Sequence, residues 1–175
     1  MKKKALKVSN MNININKGLT YRLRCWMQHY NPDKYWRYRQ IVVDPTNKTN
    51  KFLKYFYLLR IKRQDYYNNA SMGTDLNSGA VFKGIPNLPH GLNGIIVSHF
   101  ATIGKNCTIF HQVSIAQDEF NTAPIIGDNV LIGAGAKLLG DITIGNNVNI
   151  GANAVVVNDV PDNCTVVGIP AKIIK

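Results

Sequence analysis

An aliphatic residue recurs at every sixth position across residues 97–161 of this chain. The next position is often Gly, and the fifth position of each hexad is small or aliphatic. Neither the roughly 3.6-residue turn of an α-helix nor the alternating faces of a β-strand gives this period. A period of six is typical of a solenoid in which short strands stack coil upon coil. The aliphatic first positions are Val97, Ile103, Ile109, Ile115, Ile126, Ile132, Leu138, Ile144, Ile150 and Val156.

The regular pattern is interrupted once, where residues 117–123 add five residues between Ile115 and Ile126. Loops that leave a rigid scaffold often carry specificity. Before the regular part, residues 74–96 contain short apolar pieces separated by glycines, as expected of an irregular first coil that caps the solenoid.

The length and the cysteines limit the class of protein. A chain of 175 residues fits one compact domain with a small appendage, which we place at residues 1–70, with the solenoid at 71–175. No apolar stretch is long enough for a transmembrane helix, and the basic start lacks the apolar core of a signal peptide. Cys25, Cys107 and Cys164 form no disulfide framework, so we expect a cytoplasmic protein. Cys107 occupies an inward position and is interpreted as a buried small residue.

The positive charge is concentrated in the first 70 residues. They contain 16 of the 21 Lys and Arg residues but only three of the ten acidic residues, which gives this segment a net charge of +13. Most of the aromatic residues lie here too. Three interpretations stay open: peripheral contact with anionic lipid headgroups, binding of a polyanion, or a solvated helical face with a core that contacts other subunits. No nucleic-acid-binding motif is present, so a nucleic acid partner is not expected.

The basic segment is predicted to contain three helices after a polar, frayed stretch over residues 1–18. Thr20 is predicted to cap a helix over residues 21–30. Asn31, followed by Pro32, starts a second helix that continues to about Val42, and Asn50 caps a third. The apolar stripe on the third helix contains Phe52, Phe56, Leu59 and Arg63.

The strings IGDNVLIGAGAKLLGDITIGNNVNIGANAVVVNDV and VVGIPAKIIK resemble hexapeptide-repeat acyltransferases. Within that family, VSHFATIGKNCTIFHQVSIA is most similar to serine acetyltransferases and to related O-acetyltransferases of bacterial surface polysaccharides. The resemblance covers about residues 89–175. It implies a mainly β fold, a left-handed parallel β-helix preceded here by the small α-helical segment. It also implies a homotrimer that binds acetyl-CoA, its co-substrate, in a groove between two subunits.

In that family three hexads make one coil, so residues eighteen apart stack, or twenty-three apart across the inserted loop. His111 then heads a column with Ala134 and Ala152, while His99 heads another with Gln117, Gly140 and Asn158. Small residues on a groove wall let the pantetheine arm approach the backbone. The resemblance thus implies cofactor binding at Ala134, Gly135, Ala152, Asn158 and Lys172.

Acetyl transfer to a hydroxyl requires a base that accepts the hydroxyl proton, and histidine suits this role near neutral pH. The resemblance implies that His99 is this catalytic base and that His111 and Gln117 line the acceptor site. His90 and His29 are interpreted as structural. Asp75 or a backbone carbonyl is expected to orient His99.

The chain departs from serine acetyltransferases at several positions. The acid that orients their base, fifteen residues upstream, falls at Gly84, and a neighbouring acid falls at Ser98. Their Arg-His pair, which handles the serine carboxylate, falls near Thr122 and Ala123, where this loop has acidic residues instead. We therefore expect a sugar hydroxyl as acceptor, in a surface polysaccharide or its lipid-linked precursor.

Two alternative functions stay open. One is serine O-acetyltransferase of cysteine biosynthesis. The other is a solenoid without transferase activity, either a metal-dependent carbonic anhydrase or a scaffold. The offsets of nine and twelve residues among His90, His99 and His111 do not match a three-histidine metal site, so no metal is expected.

Overall fold

The computed structural model describes residues 18–174, where three helices precede a stack of short strands. The helices are α1 (Leu19–Met27), α2 (Pro32–Val43) and α3 (Lys51–Tyr67). The prediction of a frayed start lies, apart from residue 18, outside the described residues. Within residues 18–174, no helix combines the length and the apolar character needed to cross a membrane.

Sixteen strands of two or three residues follow in the described part of the chain, as a backbone that turns in every hexad requires. They are β1 (Ser71–Met72), β2 (Thr74–Asp75), β3 (Ser78–Gly79), β4 (Val81–Phe82), β5 (Ile96–Val97), β6 (Thr102–Ile103), β7 (Thr108–Ile109), β8 (Ser114–Ala116), β9 (Ile125–Ile126), β10 (Leu131–Ile132), β11 (Lys137–Leu139), β12 (Thr143–Ile144), β13 (Asn149–Ile150), β14 (Val155–Val156), β15 (Thr165–Val167) and β16 (Lys172–Ile173).

Three sheets form the faces of the solenoid. Their strand orders are β1-β5-β8-β11-β14, β16-β15-β13-β10-β7 and β12-β9-β6-β4, and all pairs are parallel except β15 with β16. Leu131 lies beside Asn149, eighteen residues later, and beside Thr108, twenty-three residues earlier. The predicted left-handed parallel β-helix and the predicted offset across the inserted loop are therefore confirmed.

The interior of the solenoid is filled by the aliphatic first positions of the hexads. Ile103, Ile109, Ile132 and Leu138 are fully buried, and each contributes about 2 kcal/mol by leaving water. Cys107 is also buried, as predicted, and burial raises the pKa of its thiol.

An asparagine ladder follows one corner of the solenoid. Asn106, Asn129, Asn147 and Asn163 have φ values of 55°, 59°, 56° and 61°, a left-handed conformation that asparagine tolerates better than most residues. Each side-chain amide donates to the amide oxygen of the next one, at 3.2, 3.1 and 3.0 Å along the column. The ladder therefore satisfies the hydrogen-bonding groups of the same asparagine side chains whose backbone makes the sharp turn.

The helices pack directly on the first coil. Buried Arg39 of α2 donates to the carbonyl oxygens of Met72 at 3.0 Å and Ala80 at 2.7 Å, and to Thr74 Oγ1 at 3.0 Å. Burial lowers the pKa of Arg39 to about 10. Tyr35 belongs to the same hydrophobic cluster as the solenoid interior. Since the core is continuous, the division at residue 70 stays a prediction.

Two of the three predicted helix caps are confirmed. Asn31 Oδ1 accepts from Lys34 N at 3.0 Å, and Asn50 Oδ1 accepts from Phe52 N at 2.9 Å. The cap at Thr20 is wrong, because α1 already begins at Leu19 after Gly18, and that cap has no side-chain hydrogen bond. The predicted end at residue 30 is wrong too, since α1 ends at Met27.

The apolar stripe of α3 faces outward. Phe52 is 85% exposed and Leu59 is 69% exposed, whereas Lys54, Ile61 and Asp65 are the buried residues of this helix. Lys54 can turn inward because its Nζ donates to Asp44 O at 2.8 Å and to Asn77 Oδ1 at 2.7 Å.

Candidate active site

His99 lies at a corner of the solenoid just after β5, between an acid and a hydroxyl. Its Nδ1 is 3.3 Å from Asp75 Oδ2, and its Nε2 is 2.8 Å from Ser78 Oγ. The side chain of His99 is 28% exposed, so it is accessible but partly shielded from water.

A short hairpin supplies both partners of His99. Asp75 pairs with Ser78 across β2 and β3, which places the two side chains together. The helices hold the hairpin turn, because Asn77 N donates to Val42 O at 2.8 Å and Asn77 Oδ1 accepts from Lys54. Lys62 Nζ lies 3.8 Å from Asp75 Oδ1, whereas His99 Nδ1 contacts the other carboxylate oxygen, Oδ2.

This arrangement suits a general base. A carboxylate 3.3 Å from Nδ1 favours a proton on that nitrogen, which leaves Nε2 as an acceptor. Ser78 Oγ then occupies the position from which a hydroxyl donates to Nε2. An acceptor hydroxyl that replaced Ser78 there would be placed to give up its proton. Of the two partners left open for His99, the structure brings Asp75 to it.

A cavity of about 570 Å³ adjoins this hairpin, and Ser78 forms part of its wall between α2 and the first coil. Its volume is typical of sites for small ligands. Arg39 lines it, but the Arg39 guanidinium group already donates to backbone carbonyls. Exposed Lys83 also lines the cavity, as does Gly84, where the resemblance places an acid.

The inserted loop is folded on itself. Asp118 Oδ1 accepts from the backbone N–H groups of Phe120 and Thr122, both at 2.9 Å. Hydrogen bonds from Thr122 hold the pKa of Asp118 below its usual value. Ser98 Oγ donates a hydrogen bond to the side-chain oxygen of Gln117 at 2.7 Å. Gln117, which is predicted to line the site of the acceptor substrate, therefore contacts the residue that precedes His99.

A second histidine site lies at another corner. His90 Nδ1 and His111 Nδ1 are 2.6 Å apart, so one of them donates to the other. His111 is half-buried and His90 is exposed. The sequence interpretation of His90 as structural overlooked this pair. One signal was present: Asp75 precedes His90 by fifteen residues, the spacing that the resemblance gives for acid and base.

The predicted cofactor residues divide between corners. Gly135 N donates to His111 O at 3.0 Å, and Asn153 N donates to Ala134 O at 2.8 Å, so Ala134, Gly135 and Ala152 share the corner of His111. Ala152 is exposed. Asn158 and Lys172 are exposed as well, Asn158 in the coil after β14 and Lys172 in the antiparallel strand β16.

Gly135 itself is tightly constrained. Its φ is 72°, and a Cβ built there would collide with the side-chain oxygen of Asn153. The left-handed φ of this turn therefore favours glycine, while Gln112 and Asn153 adopt a similar φ in the same column. In the part of the chain that the structure describes, no three His, Cys, Asp or Glu side chains converge in the manner of a metal site.

Comparison with known proteins identifies the repeat. Residues 123–158 match the model of the bacterial transferase hexapeptide family, described as six repeats. The serine acetyltransferase of Staphylococcus xylosus is 46% identical over 106 residues, which cover 59% of this chain and 49% of that protein.

Two solved structures are similar as well. The Neisseria gonorrhoeae serine acetyltransferase in complex with serine is 40% identical with a TM-score of 0.56, over 70% of this chain and 48% of that one. A serine acetyltransferase in complex with CoA is 28% identical with a TM-score of 0.63, over 84% and 57%. None of these three relatives supports the predicted role in polysaccharide synthesis, and their names favour the serine alternative. The chain spans about half the length of these relatives; its residues 123–158 contain the hexapeptide repeat of bacterial transferases, and serine acetyltransferases are its homologues over the matched part.

Proposed function

We propose that this chain is an O-acetyltransferase that moves an acetyl group from acetyl-CoA to a hydroxyl, with His99 as the general base. The observation that carries the proposal is the placement of His99 between Asp75 and Ser78 on a hexapeptide-repeat solenoid. The acceptor hydroxyl loses its proton to His99 Nε2 as its oxygen attacks the thioester carbonyl. The C–S bond then breaks, and the proton passes from His99 to the leaving thiolate of CoA.

In this proposal acetyl-CoA lies along the column of Ala134 and Ala152, in a groove between two subunits of a homotrimer. One relative is solved in complex with CoA, which supports CoA as the donor. His99 and the alanine column occupy different corners of one chain. The base and the groove wall of each site would therefore come from neighbouring subunits, which makes the site incomplete in a monomer.

L-serine is the acceptor that the comparisons favour. The relatives above carry the name serine acetyltransferase, and one of them is solved in complex with serine. Lys83, on the wall of the cavity beside Ser78, is an exposed cation that is placed to meet a carboxylate there.

A neutral sugar hydroxyl is the second candidate acceptor, and the inserted loop favours it. This loop contains Asp118 and Glu119, and Thr122 and Ala123 stand where the resemblance places an Arg-His pair. An acidic loop repels a carboxylate, whereas a sugar hydroxyl carries no charge. A lipid-linked sugar would also give the basic helical segment a role at an anionic membrane surface.

The base has a competing candidate in His90. It contacts His111, which shares its corner with the proposed cofactor wall, and it follows Asp75 by the family spacing. In the structure, however, the side chain that Asp75 contacts is His99.

The acceptor is tested by following CoA thiol release from acetyl-CoA with L-serine, free sugars and nucleotide sugars at equal concentrations. Turnover with serine that exceeds turnover with every sugar supports the serine assignment, and Lys83→Ala should then raise KM for serine with little change in kcat. Turnover with a sugar alone supports the second candidate. Absence of thiol release with all acceptors contradicts the proposed activity.

A further inference from the structure

A second cavity lies within the helical segment, away from the hairpin. Its volume is about 490 Å³, and residues of all three helices form its wall. It shares no lining residue with the cavity beside Ser78. A space of this size holds a small molecule of the mononucleotide class.

The wall of this cavity is cationic. Arg22 of α1, Lys34 of α2, and Arg60 and Arg63 of α3 all line it. Among the described lining residues there is no carboxylate. Asp33 lies at the margin, where its carboxylate accepts from Tyr21 Oη at 3.4 Å. Four like charges held around one space repel each other, and an anionic ligand would remove that cost.

The wall is also aromatic, and its rings remain accessible. Trp26 is 71% exposed and Tyr67 is 50% exposed. His29 stacks on Tyr67 with ring centroids 4.1 Å apart, and Arg63 lies 5.7 Å from the centroid of the same ring. Large accessible rings beside guanidinium groups suit the stacking of a flat heterocycle.

Helix α1 is packed only loosely against the other described elements. It contains no buried residue, and Leu19, Leu23 and Met27 are each more than half exposed. A helix of nine residues is marginal without packing. A ligand in the cavity would contact α1, α2 and α3 together and so supply the packing that α1 lacks.

We propose that this cavity binds a nucleoside phosphate, with the phosphates on the cationic wall and the base against Trp26 or Tyr67. The guanidinium groups offer paired donors that match phosphate oxygens, and the aromatic rings beside them distinguish this site from a surface that only attracts polyanions. The proposal is independent of acetyl transfer, because its test measures binding alone.

The test uses the full chain and three probes, UDP, uridine and inorganic pyrophosphate, in calorimetric titrations with tryptophan fluorescence as a second signal. We expect UDP to bind with a Kd below about 100 µM. Uridine lacks the anion and pyrophosphate lacks the ring, so each should bind at least about tenfold more weakly. UDP should also quench the emission of Trp26, the exposed one of the two tryptophans.

Matched double variants distinguish UDP binding in this cavity from nonspecific attraction of UDP to the basic segment. Arg60→Ala with Arg63→Ala removes two lining charges and should weaken UDP binding at least about tenfold. Lys48→Ala with Lys51→Ala removes two exposed charges of the same segment that do not line the cavity, and it should change Kd less than about twofold. Circular dichroism of both variants checks that the helices persist.

Several outcomes would overturn the proposal. They are no UDP binding up to about 1 mM, equal affinity for uridine and UDP, or equal losses in the two double variants. Binding to vesicles that contain phosphatidylglycerol tests whether the surface is a lipid site instead. If they bind the protein through Arg60 and Arg63 and UDP does not displace them, the surface is a lipid site and the nucleoside phosphate assignment is wrong.

Discussion

At the scale of single residues, alanine variants of His99 and His111 separate the role of the base from that of the acceptor site. His99→Ala should lower kcat about a hundredfold or more, because the acceptor loses its base, while acetyl-CoA affinity changes little. His111→Ala should mainly raise the KM of the acceptor. Thiol release from acetyl-CoA measures both effects.

Ser78→Ala is the control for this experiment. Since the acceptor hydroxyl replaces Ser78 in the proposed mechanism, this variant should keep kcat within about tenfold of the natural protein. If His90→Ala loses turnover while His99→Ala retains it, the base is His90 and the contact of Asp75 with His99 belongs to the resting enzyme only.

Asp65 is buried in α3, where Tyr35 Oη donates to its Oδ1 at 2.7 Å. Its Oδ2 has no hydrogen-bond partner among the described residues. Burial raises the pKa of Asp65 from 3.8 to about 6. Between about pH 4 and pH 6 the folded state therefore keeps a proton that the unfolded state has lost. The free energy of unfolding should fall as pH rises through this window, by on the order of 3 kcal/mol, and then level off.

Urea denaturation of the natural protein and of Asp65→Asn, at a series of pH values, checks this prediction. The amide does not ionise, so the fall between pH 4 and pH 6 should be reduced or absent in the variant. Parallel profiles for the two proteins over this window would mean that another group causes the pH dependence.

At the scale of structural elements, the asparagine ladder stabilises the corner that joins successive coils. Asn147 bonds to Asn129 and Asn163 and has a φ of 56°. Asn147→Ala should lower the free energy of unfolding by about 2 kcal/mol, because it removes both hydrogen bonds and strains the backbone. Asn147→Gly removes the same bonds but tolerates this φ, so it should cost about 1 kcal/mol less.

Thermal denaturation of both variants gives these differences. Equal losses for Ala and Gly would show that the hydrogen bonds alone stabilise the corner and that the left-handed φ adds nothing.

At the scale of the whole molecule, the proposed cofactor groove can be tested at Ala152. Gly135 is unsuitable for a blocking substitution, since its φ of 72° strains the backbone of any residue with a bulky side chain. Ala152 is exposed, so Ala152→Trp should fill the groove without disturbing the interior. We expect it to weaken acetyl-CoA binding at least about tenfold, while Ala152→Ser leaves binding nearly unchanged. Unchanged affinity in Ala152→Trp would place the groove elsewhere.

The proposed homotrimer is tested by sedimentation equilibrium at micromolar concentration. A site that takes its base and its groove wall from neighbouring subunits needs the assembled state, and activity should fall on dilution as trimers dissociate. A monomer that retains full activity would contradict the shared site.

The hexad pattern by itself determined the solenoid and its inward aliphatic residues, and the family resemblance added the coil of three hexads and so the stacking offsets of eighteen and twenty-three. The pattern did so because each coil is a local repeat, in which two inward positions per hexad, the first and the fifth, limit how the apolar side chains can be buried. The caps at Asn31 and Asn50 were local as well, since an N-cap side chain reaches the backbone only two or three residues away.

Only the tertiary structure decided what surrounds each histidine and which face of α3 is buried. Asp75 reaches His99 because a hairpin held by α2 and α3 leaves the first coil, and no short-range pattern encodes that contact. Lys54 and Asp65 face inward because distant groups bond to them, which reverses the orientation expected from polarity. The pairing of His90 with His111 likewise depends on the path of one irregular coil, where the repeat no longer fixes the register.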